Sequence, residues 1–151
     1  MPQSLCKLYV HLIFHIKNVS PRIREQDAER IHAYLGQLVN ATGCTDIRVG
    51  GVGDHVHILF ALSKDTTLSF VVEEIKRNSS RWIKTLGIHY RLFSWQGGYA
   101  AFSVSQSVIS QTLQYISNQK EHHKKRSFEE EYLDFLRLYQ IEYNKDYVFR
   151  D

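Results

Sequence analysis

Apolar and polar residues alternate along residues 6–16, which is the pattern of a strand with one buried face. The apolar positions of this run are Cys6, Leu8, Val10, Leu12, Phe14 and Ile16. His11 and His15 fall on the opposite face, because successive side chains of a strand point to alternate sides. Ser20 and Pro21 end the pattern, so we predict one long first strand.

The remaining pattern predicts four helices and four further strands. Helices are expected over residues 25–42, from a cap at Asp65 or Thr66 to Leu86, from a cap at Ser105 or Ser107 through Ile116, and over residues 127–138. Strands are expected over residues 44–52, 55–62, 91–95 and 99–105, with a turn at Gly50, Gly51 and Gly53. This order favours an α+β, ferredoxin-like fold, in which helices pack on an antiparallel sheet and residues 55–62 form an interior strand.

The composition is that of an ordinary globular chain, with 43% apolar and 23% charged residues. Its 151 residues predict one domain spanning 1–151. The formal net charge of +3 permits nucleic-acid binding without indicating it. Cys6 and Cys44 lack a metal-binding spacing, and neither a membrane-spanning run nor a secretion signal is visible. We therefore expect a cytoplasmic protein.

Two histidines lie two residues apart on the predicted interior strand, at His55 and His57. They point to the same face, with Cα atoms roughly 6.5 Å apart, while Val56, Ile58 and Phe60 point into the core. Two imidazoles at this spacing can bind one cation. They can equally be two half-exposed histidines on a sheet, so the pair indicates a metal site only together with a third ligand.

Tyr115 and Gln119 are four residues apart on the predicted third helix and share one of its faces, which His122 continues. An isolated pair of this kind is most often a surface feature of an amphipathic helix. Together with His55 and His57 the pair indicates a candidate active site, because an amide oxygen can be a third metal ligand and a phenol can be a nucleophile. The sequence shows no dedicated base for that phenol.

Basic residues form two clusters that suit a phosphate backbone or, alternatively, solvated helix faces. The first cluster comprises Lys76, Arg77, Arg81 and Lys84 on the second helix. The second cluster comprises Lys120, Lys124, Lys125 and Arg126, interleaved with His122 and His123. We expect both clusters to flank the candidate metal site.

Other candidate residues carry weaker signals. His11 or His15 could add a ligand, and Asp54 could orient a neighbouring histidine. Trp82 and Trp95 are expected in the core.

Several segments of the chain resemble the single-tyrosine HUH-type transposases of bacterial insertion sequences, including the REP-associated kind. The segments are Gly-Asp-His-Val-His-Ile-Leu at 53–59, Lys-Arg-Asn-Ser-Ser-Arg-Trp-Ile at 76–83, Gln-Gly-Gly-Tyr-Ala-Ala-Phe-Ser-Val-Ser at 96–105, Tyr-Ile-Ser-Asn-Gln-Lys-Glu-His-His at 115–123, and Phe-Glu-Glu-Glu at 128–131. They occur in the order found in the family and span nearly the whole chain.

The resemblance implies a divalent metal ion, Mg²⁺ or Mn²⁺, bound by His55, His57 and Gln119. It implies that Tyr115 attacks a phosphodiester of single-stranded DNA, forms a 5′-phosphotyrosine and releases a 3′ hydroxyl. It also implies a homodimer that binds DNA hairpins at element ends, with Tyr115 acting either in its own subunit or in its partner.

Our hypothesis from the sequence is a transposase that nicks and rejoins single-stranded DNA at hairpin-marked ends. One alternative is a domesticated hairpin-binding protein without catalytic activity on the same scaffold. Another is a small-molecule metalloenzyme that binds its metal with His55, His57 and either His11 or His15.

Overall fold

A four-stranded antiparallel sheet forms the centre of the computed structural model, which describes residues 2–150. The strands are β1 (Leu8–His15), β2 (Thr45–Val52), β3 (His55–Leu62) and β4 (Ala100–Val104), in the spatial order β2-β3-β1-β4. The strand that carries both histidines, β3, therefore lies between β2 and β1. The predicted antiparallel fold class and the interior position of residues 55–62 are confirmed.

Five α-helices surround this sheet within the described residues. They are α1 (Glu25–Ala41), α2 (Leu68–Lys84), α3 (Ile109–Ser117), α4 (Gln119–His122) and α5 (Phe128–Leu138). Short 3-10 turns cover Ile88–Tyr90 and Gln106–Val108. In residues 2–150 we find no helix with the length and apolarity required to traverse a bilayer.

One face of the sheet carries the main hydrophobic core. Leu12 and Phe14 of β1 lie with Val56, Ile58 and Phe60 of β3, as their alternation predicts. The helices α1 and α2 cover this face with their apolar stripes, which comprise Ile31, Leu35 and Val39 from α1 and Val71, Val72, Ile75 and Ile83 from α2. Helix and strand patterns thus agree on one buried layer.

The opposite face of the sheet is also covered, and this face bears the histidines. Ile13 and Phe102 pack against Phe128, Tyr132 and Leu136 of α5 in a second, smaller cluster. The helix α3 packs on β2 and β3. Its close approach requires glycine at position 50 of β2, because a Cβ atom there would collide with the Ile116 carbonyl oxygen. His55 and His57 are consequently fully buried and not half-exposed.

The structure corrects several predicted boundaries. Residues 91–95 are not a strand, and they contribute one isolated bridge, between Ile16 and Trp95. Gly50 and Gly51 lie within β2, so the hairpin turn is formed by residues 53–54. The predicted strand at 6–16 spans only residues 8–15, because pairing with β3 begins at Leu8 and ends at His15.

The helix caps also differ in part from prediction. Thr67, and not Asp65 or Thr66, caps α2 by accepting a hydrogen bond from the Phe70 amide at 3.2 Å. Neither Ser105 nor Ser107 caps α3, because a 3-10 turn intervenes before the helix begins. The capping residue of α5 is Ser127, as its pattern predicted, with its hydroxyl accepting from the Glu130 amide at 3.2 Å.

We expect Tyr90→Phe to destabilise the fold by about 1–3 kcal/mol, because it removes both hydrogen bonds of the buried hydroxyl. Tyr90 is 1% exposed. Its hydroxyl donates to Asp27 Oδ2 at 2.6 Å and accepts from the Arg24 amide at 2.9 Å. Urea denaturation would measure the change against Tyr147→Phe, a matched control at an exposed position. Equal unfolding free energies for the two variants would contradict the expectation.

Candidate metal centre and nucleophile

His55 and His57 share the face of β3 that α3, α4 and α5 cover. Their ring centroids lie 5.2 Å apart, and neither side chain is exposed. Alternation along the strand accounts for the common direction. Packing of the helices over this face removes water from both rings.

The carboxylate of Glu131 on α5 lies between the two rings. Its Oε1 atom is 3.0 Å from His57 Nε2 and 3.6 Å from His55 Nε2. One ligand atom from each of the three residues lies within 4.8 Å of the others, so a single divalent ion fits among them. Glu131 is not among the ligands predicted from the sequence. The capping pattern at Ser127 located the start of α5 but not the surface against which this helix packs.

Gln119, the predicted third ligand, lies beside this group at the first residue of α4. Its side chain is 1% exposed. Its Oε1 atom is 3.0 Å from His55 Nε2 and 3.0 Å from His123 Nε2. Its amide nitrogen donates to Glu131 Oε2 at 3.2 Å. The amide oxygen is thus available to the same ion as the His-His-Glu group.

The inner ring nitrogens of both histidines are held by neighbours. His55 Nδ1 donates to Asp54 Oδ1 at 2.7 Å, as expected for an orienting residue, and Asp54 Oδ2 lies 3.5 Å from Arg22. His57 Nδ1 is 2.7 Å from His11 Nε2. These bonds direct the Nε2 atoms of His55 and His57 toward Glu131.

His11 and His15 therefore do not complete the ligand group. The bond from His11 reaches the nitrogen of His57 that faces away from Glu131. His15 Nδ1 lies 2.9 Å from the Ile16 carbonyl oxygen, and its ring packs 5.1 Å from that of Phe128. The metalloenzyme alternative with one of them as third ligand has no support from this geometry.

The electrostatics of the centre favour ligand-competent protonation states. Burial lowers the pKa of His57 to about 4, although the hydrogen bond to Glu131 acts in the opposite direction. Burial raises the pKa of Glu131, but its bonds with His57 and Tyr115 outweigh this and hold the pKa below its usual range. At neutral pH the imidazole of His57 is neutral and the carboxylate is ionised, as metal binding requires.

The phenol of Tyr115 lies against the same carboxylate. Its Oη atom donates a short hydrogen bond to Glu131 Oε2, and its ring centroid is 5.8 Å from that of His57. Burial and the bond to Glu131 raise the pKa of Tyr115 well above its usual range, so the phenol is protonated. The tyrosine of α3 and the histidines of β3 therefore lie close together within a single chain.

The helix that was expected to carry both Tyr115 and Gln119 is interrupted between them. The helix α3 ends at Ser117 and α4 begins at Gln119, with the Asn118 amide bonded to the carbonyls of Gln114 and Tyr115. The two side chains nevertheless converge, because each contacts Glu131.

The first basic cluster belongs to α2, which packs on the face of the sheet opposite the histidines. Lys76 donates to the carbonyls of Gln96 and Gly98, and burial lowers its pKa to about 8. Arg77 pairs with Glu73 and Glu74 of its own helix. Arg81 and Lys84 are exposed on the outer side of α2. The expectation that this cluster flanks the site is wrong, because α2 packs on the main hydrophobic core and not beside the histidines.

The second basic cluster lies beside the centre, on α4 and the loop that follows. Lys120 pairs with Glu25 of α1, and Lys124 pairs with Glu121 at 3.1 Å. Lys125 and Arg126 line an open hollow next to this loop.

Replacing Glu131 by Gln is expected to weaken Mn²⁺ binding at least about 10-fold, because the variant retains the shape of the side chain but loses its charge. Isothermal titration with MnCl₂ would measure the affinity. Glu129→Gln is the matched control, since Glu129 is exposed on the same turn of α5. Equal affinities of the two variants would exclude Glu131 as a ligand.

His11 should make the metal-free protein less stable in acid. Burial, followed by the charge of His57, lowers its pKa to about 3. Between roughly pH 3 and pH 6.5 the unfolded chain binds a proton here that the folded chain excludes, so the free energy of unfolding falls as the pH drops through this window.

The loss expected at pH 5 is about 1–2 kcal/mol for this histidine alone. Urea denaturation at pH 7 and pH 5 in the presence of a chelator would show a smaller pH dependence for His11→Gln than for the unmodified chain. Parallel pH profiles would contradict this assignment.

Comparisons with known proteins identify a family and structures of similar fold. The family model described as "Transposase IS200 like" matches residues 4–119. A candidate transposase from Deinococcus radiodurans R1 has a similar structure, with 23% identity and a TM-score of 0.60 over 79% of this chain and 98% of that chain. A REP-associated tyrosine transposase bound to a REP hairpin superposes with 12% identity and a TM-score of 0.59 over 82% of this chain and 73% of that chain. No curated protein matches at a significant level.

The family match extends over most of the chain, from before β1 to the first residue of α4. It includes Tyr115 and both histidines of β3, whereas Glu131 and Arg126 follow its last matched position. This chain belongs to the family of IS200-like transposases.

Proposed function

We propose that this transposase cuts and rejoins single-stranded DNA through a 5′-phosphotyrosine at Tyr115. The observation that carries the proposal is the convergence of a phenol, two imidazoles and a carboxylate from β3, α3 and α5. A hairpin-binding protein without activity has no use for a partly buried tyrosine hydroxyl beside such a group. The site chemistry therefore favours catalysis over the non-catalytic alternative.

His55, His57 and Glu131 would hold the divalent ion, with the Gln119 oxygen as a further ligand. Carboxylate and amide oxygens suit Mg²⁺ and Mn²⁺, and imidazole ligands are better accepted by Mn²⁺. When bound, such an ion polarises the phosphate that is attacked and stabilises its developing charge. The fit depends on the short distances among the three ligand atoms, all within 4.8 Å of one another.

The chain itself supplies a proton acceptor for the phenol. A protonated phenol is a weak nucleophile, and Tyr115 already donates its hydrogen bond to Glu131 Oε2. As Oη attacks phosphorus and the bond to the 3′ oxygen breaks, the phenol proton passes to Glu131 and from there, through water, to the departing 3′ oxygen, so no net proton is taken up or released. Attack by a 3′ hydroxyl on the phosphotyrosine reverses the step and returns the proton to Tyr115.

We propose single-stranded DNA with a hairpin as the substrate. One structurally similar transposase is bound to a REP hairpin. Lys120, Lys124 and Lys125 extend from the site along α4 and the next loop and would contact the phosphate backbone. A homodimer remains a prediction from the family resemblance, as does a role for Lys76, Arg77, Arg81 and Lys84 in binding DNA.

The Tyr115→Phe variant should form no covalent adduct with DNA, because it lacks the attacking oxygen. Purified protein with MnCl₂ would be incubated with a labelled library of single-stranded oligonucleotides, each with a hairpin, and adducts would be resolved on denaturing gels. Tyr143→Phe, at an exposed position, is the control and should react like the unmodified chain. An adduct with Tyr115→Phe would identify a different nucleophile.

A further inference from the structure

An open hollow of about 530 Å³ lies beside the nucleophile, within the size range of ligand sites. Its lining residues are Asn118, Glu121, His122, Lys125 and Arg126. His122 separates the hollow from Tyr115, with ring centroids 4.6 Å apart. The lining carries two permanent cations, and its one carboxylate, Glu121, is already paired with Lys124. Such a surface favours an anionic ligand.

Arg126 connects this hollow to the phenol. Its Nη2 atom lies 3.5 Å from Tyr115 Oη, while Nη1 is paired with Asp134 on α5 at 2.5 Å. The pairing leaves the second edge of the planar guanidinium directed at the nucleophile. Its side chain is 36% exposed, so a substrate in the hollow can reach it.

A phosphate that approaches Tyr115 comes close to the negative charge of Glu131. The ionised carboxylate of Glu131 contacts the phenol from the buried side, and in the protein without a divalent ion this charge repels a second anion. A cation on the open side of the phenol offsets this repulsion. Guanidinium is suited to the task, because its fixed N–H groups bind phosphate oxygens in a defined geometry.

We propose that Arg126 is a catalytic residue that binds a non-bridging oxygen of the phosphate under attack, and that the hollow receives the adjoining nucleotide. The inference rests on the proposed function. As the Oη–phosphorus bond forms and the bond to the 3′ oxygen breaks, negative charge builds on the non-bridging oxygens, and Arg126 donates to one of them. The residue lies beyond the part of the chain that the family match covers.

The Arg126→Gln variant should form adduct about 10²–10³-fold more slowly under single-turnover conditions, the usual loss for one transition-state donor. Arg137→Gln is the matched control. Arg137 pairs with the same Asp134 at 2.8 Å and is 67% exposed. It should react within about threefold of the unmodified chain. Rates of Arg126→Gln within that same range would overturn the proposal.

A binding measurement separates contact with the phosphate from a structural effect. In the non-reactive Tyr115→Phe background, the oligonucleotide mapped by adduct formation would be compared with one carrying an uncharged methylphosphonate at the cut site. With Arg126 present, the uncharged link should weaken binding about 10-fold or more. With Arg126→Gln, the discrimination should fall to the part that the divalent ion provides, and undiminished discrimination would refute the contact. If the unmodified protein forms no adduct at all, the proposed function itself fails.

Discussion

Satisfying the buried carboxylate of Glu131 is the constraint on which the site depends. An ionised group that is 0% exposed is costly unless partners surround it. Glu131 has them in His57, Gln119 and Tyr115, which come from a strand and two different helices. Docking of α5 therefore fixes the positions of the nucleophile and the amide at the same time. Removal of one partner would leave the buried charge of the carboxylate incompletely compensated.

The two faces of the sheet are covered by layers of different composition. The layer formed by α1 and α2 is an ordinary apolar core, and it supplies most of the hydrophobic burial. The other layer combines a small aromatic cluster with a hydrogen-bonded network of histidines, carboxylates and an amide. Such a network contributes geometric definition more than stability. The apolar layer makes it possible for this polar layer to exist inside so small a fold.

Local pattern was sufficient to predict the four strands of the sheet and half of the candidate site, although it also predicted a strand at 91–95 that does not form. Alternation along β3 identified the common direction of His55 and His57, whereas Tyr115 and Gln119, predicted on one helix face, converge across a break in the helix. Glu131 was not identified, because a capping pattern determines where a helix begins and not which surface it docks against. Lys76 shows the same limit: its position on an amphipathic helix did not reveal the loop carbonyls of Gln96 and Gly98 that it binds.

The break at Asn118 has a mechanical consequence. Gln119 is tied to His55 and His123 through its own side chain, whereas Tyr115 belongs to a separate helical segment that packs on β2 and β3. Because α3 ends at Ser117 and α4 begins at Gln119, the connection between the two residues includes the bond from Gln119 Nε2 to the Tyr115 carbonyl at 3.3 Å. The nucleophile and the ligand group are therefore joined through the side chains of Gln119 and Glu131 and not through one uninterrupted helix.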